Sequence, residues 1–120
     1  MSNKPFDLEE RTFLFAKKCR IYIHSIPRNI SNLEDGKQLI RSSGSVAANY
    51  IEGNEKLTDK DLIFRLKIAR KEAKESQLWL RLLHDLNSEQ NQISKELITG
   101  AHEIRNILLT IIKKLESSNQ

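Results

Sequence analysis

The chain predicts an all-α fold: a single domain over residues 1–120, built as an antiparallel up-down-up-down four-helix bundle. Three observations carry this expectation. Only four Gly and two Pro interrupt 120 residues, so long helices are expected. Apolar residues recur at helical spacing in four stretches. The joints between stretches are short, which sets successive helices side by side and antiparallel. Short flexible ends are expected at about 1–6 and 117–120.

The first helix is expected from about Asp7 to Ile26. Asp7, Glu9 and Glu10 suit its positive end, Phe6 could staple the entry, and Pro27 stops it by removing a donor. Phe13, Ala16, Arg20 and Ile23 mark one side, and Phe15, Cys19, Tyr22 and Ile26 another. For the second helix, Ser31 and Glu34 resemble a capping box, while Gly36 moves the expected regular start nearer Lys37. Gly53 and Asn54 are its expected terminators. Thr58 and Asp61 then open a third helix to about Leu86. Asn87 ends it, and Ser88 is expected to cap a last helix reaching about Glu116. In that helix Leu97, Ala101, Ile104, Leu108, Ile111 and Leu115 step by four and three residues alternately, the seam of bundles.

The second helix presents Ser42, Val46, Asn49 and Gly53 along one stripe, small and polar where most surface helices hide leucines. Small side chains let a neighbour approach closely, and the polar ones then need partners. The third helix is apolar over more than half its circumference. At about 100° per residue, Phe64, Ile68, Trp79, Leu82 and Leu86 lie on one flank, and Leu62, Leu66, Ala69, Ala73 and Leu80 on the other. A solitary bundle needs a narrower stripe, so a homo-oligomer is expected, with Phe64, Ile68 and Trp79 at the oligomer interface.

Net charge is +4, with 20 basic against 16 acidic residues, a balance compatible with a polyanionic partner. Cys19 is the sole cysteine, which excludes an intrachain disulfide and suits a reducing cytoplasm. Met1 to Glu10 has no apolar core of signal-peptide length, and no stretch approaches the roughly 18 apolar residues of a membrane span. A cytoplasmic, unprocessed chain with no membrane association is expected.

The block from Gln38 to Gly53, QLIRSSGSVAANYIEG, resembles the pattern of a family first noticed as open reading frames inside intervening sequences of bacterial 23S rRNA genes. Arg11 to Ala16 and Ile26-Pro27 resemble the family's first helix and its exit. Ile68 to Ser76 and Trp79 to Leu83 resemble its third. The resemblance covers nearly the whole chain. It implies a four-helix bundle assembled as a homopentamer, and kinship with accessory proteins of diversity-generating retroelements. Those relatives are basic barrels that associate with a reverse transcriptase and with nucleic acid. Many members carry Gly-Ser where this chain has Lys71-Glu72, so a different local contact is expected here.

Two constellations stand out. Arg41, Ser42, Ser45, Asn49 and Glu52 share the second helix, and Glu72, Glu75 and Ser76 the third. Paired carboxylates can serve acid–base chemistry, but no nucleophile or metal spacing accompanies them. A structural polar network, with Arg41 as counter-ion, is the stronger expectation. The second constellation is a basic row, Lys60, Lys67, Arg70, Lys71, Lys74 and Arg81, on an arc of the third helix opposite its apolar surface. Such a row can bind RNA or DNA through phosphates; without interleaved aromatics it would not read bases.

Metal, cofactor and catalytic sites find no support. His24, His84 and His102 are scattered, and His102-Glu103 begins an H-E-x-x-H motif that Asn106 breaks. Cys19 beside Lys18 and Arg20 could be an activated thiol, though a small core residue is the plainer reading. No enzyme is expected. A non-catalytic oligomeric adaptor for nucleic acid or a nucleic-acid enzyme is, with a purely structural scaffold as the alternative.

Overall fold

A computed structural model describes residues 7–118, apart from the side chains of residues 90 and 91. Four helices follow in order: α1 Leu8–Ser25, α2 Ile30–Asn54, α3 Asp59–Leu86 and α4 Asn91–Ser118. The expected staple at Phe6 and the expected flexible end 1–6 lie outside these residues. Residues 117 and 118 are helical.

The helix starts follow capping chemistry. The Asp7 side chain accepts from the Glu10 amide, and Thr58 Oγ1 accepts from the Asp61 amide at 3.1 Å. The second helix departs from expectation. Asn29, not Ser31, caps it, accepting from the Asn32 amide at 2.9 Å, so regular structure begins well before Lys37. Gly36 is accommodated inside the helix: a Cβ there would meet Ile23 at 3.1 Å, so its smallness seats α1 against α2. The helix ends at Asn54 as expected, and Gly53 sits in its last turn. Gly53 is buried, no glycine has positive φ, and its missing side chain lets Leu62 approach. Before α4, Ser88–Gln90 forms a single 3-10 turn instead of a simple cap.

Antiparallel packing runs α1 to α2 to α3 to α4, and α1 returns to α4 over much less of its length. The molecule measures 49 × 32 × 20 Å, an oblong cross-section in keeping with that loose return. The core joins Phe15, Cys19 and Tyr22 of α1 to Leu39 and Val46 of α2, Leu66, Ala69, Ala73, Leu80 and Leu83 of α3, and Leu97, Ala101, Ile104, Leu108 and Ile112 of α4. On α4 the expected seam shifts near its end, where Ile112 is fully buried and Ile111 only partly. A straight helix of 3.6 residues per turn drifts off a repeat of 3.5.

Candidate nucleic-acid interface and polar seam

The two flanks read on α3 have different fates. Leu66, Ala69, Ala73 and Leu80 are buried in the chain's own core. On the other flank Phe64 is 61% exposed, and Leu82 and Leu86 are exposed with it, joined by Leu78. Ile68 and Trp79 are half-buried; Trp79 packs on the core with its indole N–H buried and unpartnered.

The basic row borders this exposed apolar line instead of lying opposite it. At about 100° per residue, Lys71 falls within the line, and Lys67, Lys74 and Arg81 run along its α4 side. Lys67 is tied to Glu116 of α4 at 2.9 Å, which fixes that direction. Among the described residues, Lys60, Arg70, Lys71, Lys74 and Arg81 have no ion-pair partner.

On the α2 side of α3 several of the polar residues meet. Arg41 reaches Glu72 at 3.3 Å and Glu75 at 3.1 Å. The Glu72 side chain is only 13% exposed. Hydrogen bonding to Glu72, and its charge, hold the Arg41 pKa above its usual value. Deeper in the seam, the buried Ser42 and Ser76 hydroxyls meet at 2.8 Å, and Ser76 also donates to the Glu72 carbonyl. Asn49 donates to the Ser45 carbonyl and hydroxyl at 2.9 and 3.0 Å. Its oxygen accepts from Arg65 at 3.1 Å. Glu52 is exposed and stands outside these contacts. Lys71-Glu72, where many members of the resembled family carry Gly-Ser, thus supplies one outward cation and one half of the inter-helix ion pair.

Other polar contacts escape the spacing argument. Arg65 is one. Arg20 donates to the Ala16 and Ile40 carbonyls and lies 3.4 Å from the Ser43 hydroxyl, clamping α1 to α2. Asn32 and Asn87 exchange side-chain hydrogen bonds of 2.7 and 2.9 Å across the buried end of the bundle. His84 Nδ1 meets Ser94 Oγ at 2.6 Å, with Ser94 fully buried and His84 half-buried. The Tyr22 hydroxyl sits beside Ser94 without a hydrogen bond of good geometry, and burial pushes its pKa up.

Burial works against an activated thiol at Cys19. Cys19 is buried, and desolvation drives its pKa up to about 12 against the smaller opposing effects of Ser43 and Arg20. Among the described residues, no cluster of three or more His, Cys, Asp or Glu side chains could hold a metal ion. Among them also, no helix is long and apolar enough to cross a membrane.

These features define a four-helix bundle with a hydrogen-bonded seam between α2 and α3 and an outward basic and apolar face on α3. The chain belongs to the 23S rRNA-intervening sequence protein family, whose model matches residues 5–110. A solved structure from Bacteroides thetaiotaomicron, a protein of unknown function from the S23 ribosomal protein family, is similar at 27% identity. The match covers 88% of this chain and 97% of that one, with a TM-score of 0.76. No curated protein is significantly similar to the chain.

Proposed function

We propose that the chain is a non-catalytic, self-associating adaptor of the cytoplasm whose α3 basic arc contacts nucleic acid, or an enzyme that works on nucleic acid such as a reverse transcriptase. One observation carries the reading: Lys60, Arg70, Lys71, Lys74 and Arg81 form a run of cations on one helix with no acidic partner among the described residues. Unneutralised cations in a row displace counter-ions from a phosphate backbone, and repetition around a homopentamer would multiply the effect. The exposed apolar line beside them supports self-association, because a patch of that kind is costly to leave in water.

The test is a salt series of binding to a generic RNA and a generic DNA duplex. Binding should fall steeply with salt, and Lys74→Glu with Arg81→Glu should weaken it more than tenfold. The double variant should also lower the steepness of the salt dependence by about two, one per lost phosphate contact. No binding at low salt would favour a scaffold that engages only protein, the reading that the apolar line alone supports.

A further inference from the structure

The loose return of α1 to α4 leaves an open apolar groove of about 480 Å³, walled by Leu14, Phe15 and Ile21 on one side and Ile93 and Leu97 on the other. Three of these remain in water: Leu14 at 37%, Ile93 at 39% and Ile21 at 55% exposure. Gly100 lies in its lining. The other three glycines each have a reason inside the chain. A Cβ on Gly36, Gly44 or Gly53 would meet a neighbour at 3.1, 3.1 or 3.0 Å. On Gly100 the nearest atom would be Phe15 Cδ1 at 3.9 Å, an ordinary contact. Glycine inside a helix costs about 1 kcal/mol relative to alanine, and nothing within this chain requires it there.

A complementary shape exists elsewhere on the same molecule. Phe64, Leu78 and Leu82 form an outward apolar ridge on α3, about 27 Å long at 1.5 Å per residue. The α1 wall from Asp7 to Ile21 is about 21 Å long by the same measure. Charge matches as well. Asp7, Glu10 and Glu96 line the groove against Lys18, with Arg11 already neutralised by Glu103. The ridge carries the unpaired Lys71 and borders Lys74, and Glu75 within it is neutralised by Arg41. In the antiparallel circuit α3 neighbours α2 and α4 and sits diagonally from α1, so the ridge cannot reach its own groove.

We propose that the α3 ridge of one copy seats in the α1/α4 groove of the next. The contact is heterologous, two different patches meeting head to tail, and such contacts close into rings or run on as filaments. Lys71 then faces the neighbouring copy's groove and leaves the nucleic-acid arc, while Lys74 and Arg81 stay at the margin of the contact, beside the ridge. This rests on the self-association proposed above and names the surfaces that produce it.

Two one-sided variants test it by size-exclusion chromatography with light scattering, each checked for helicity and thermal unfolding. Gly100→Leu fills the groove and keeps the ridge; Phe64→Glu with Leu82→Glu spoils the ridge and keeps the groove. Ile93→Glu is a second groove variant should Gly100→Leu unfold. The wild type should assemble, each folded variant alone should be monomeric, and an equimolar mixture should give a one-to-one dimer through the single surviving contact. A wild type that assembles while the folded groove variants assemble equally well overturns the pairing and leaves self-association standing. A mixture that stays monomeric overturns the head-to-tail geometry. A wild type that is monomeric at high concentration removes self-association itself.

Discussion

The α2/α3 seam and the α1/α4 seam are made of opposite materials. Between α2 and α3, small residues bring the backbones close, the Ser42 and Ser76 hydroxyls satisfy one another, and Arg41 bridges Glu72 and Glu75 at the rim. Between α1 and α4, large apolar side chains line an opening that the two helices do not close. Hydrogen bonds demand a fixed register, so the first seam is specified within one chain. Dispersion and apolar burial demand only coverage, so the second can be completed by another surface. The bundle is therefore fixed in register by polar pairs on one side and open on the other.

The largest contrast should come from leucine truncation. Leu39, fully buried on α2, loses about 2–5 kcal/mol when changed to alanine, the transfer and cavity terms together. Leu14 in the open groove should cost the isolated chain less than about 1 kcal/mol by the same change, because its exposed side chain leaves no closed cavity. Urea unfolding at low protein concentration checks both. Equal losses would mean that the groove is closed in solution.

Much of this difference was legible in the residues, and some was not. The α2/α3 pairing follows from Arg41, Ser42, Glu72, Glu75 and Ser76, because long antiparallel helices joined by a short turn keep register along their length. Thr58 announced a helix start through local side chain to backbone chemistry that needs no tertiary context, while Asp7, read as a charge at the positive end of α1, also caps it. The start of α2 was obscured: Ser31 and Glu34 offered a rival box, and Gly36 reads as a breaker until the Ile23 contact supplies its reason. The Asn32–Asn87 pair depends on which helix ends meet in space, and neither residue has periodicity to betray it. The open seam escaped altogether. Hydrophobic spacing tells which face of a helix is apolar; it says nothing of the distance between two helix axes.

A pH experiment separates the two sides of α1, closed toward α2 and open toward α4. Cys19 lies on the closed side, with the Ser43 hydroxyl as a hydrogen-bonding neighbour. Burial pushes its thiol pKa from 9.0 up to about 12 in the folded chain, so the folded state retains a proton that the unfolded state releases. The stabilisation this represents is fully present below about pH 9 and drains away as pH rises toward about 12. The slope contributed is about 1.4 kcal/mol per pH unit within that window. Tyr22 acts in the same sense. Cys19→Ala should flatten the alkaline loss measured by urea unfolding between pH 9 and about pH 11, and native Cys19 should resist alkylation until the chain unfolds. Rapid labelling of the folded protein at neutral pH would show that α1 is loose on both sides.

The smallest expected effect is also the most discriminating, since it uses one substitution at two places. Gly53→Ala sets a methyl 3.0 Å from Leu62 Cδ1 and 3.4 Å from Arg65 Cβ in the closed seam. The gain in helix propensity, about 1 kcal/mol, is offset there by displaced packing, so stability should stay level or fall. Gly100→Ala meets only Phe15 at 3.9 Å and should stabilise the isolated chain by about 0.5–1 kcal/mol. In the assembled protein the sign should reverse if a neighbouring ridge rests on that glycine, because the methyl then holds two copies apart. Unfolding measured at low and high protein concentration reads both signs from one variant. A Gly100→Ala chain that gains stability equally at every concentration would leave the groove without an occupant of this kind.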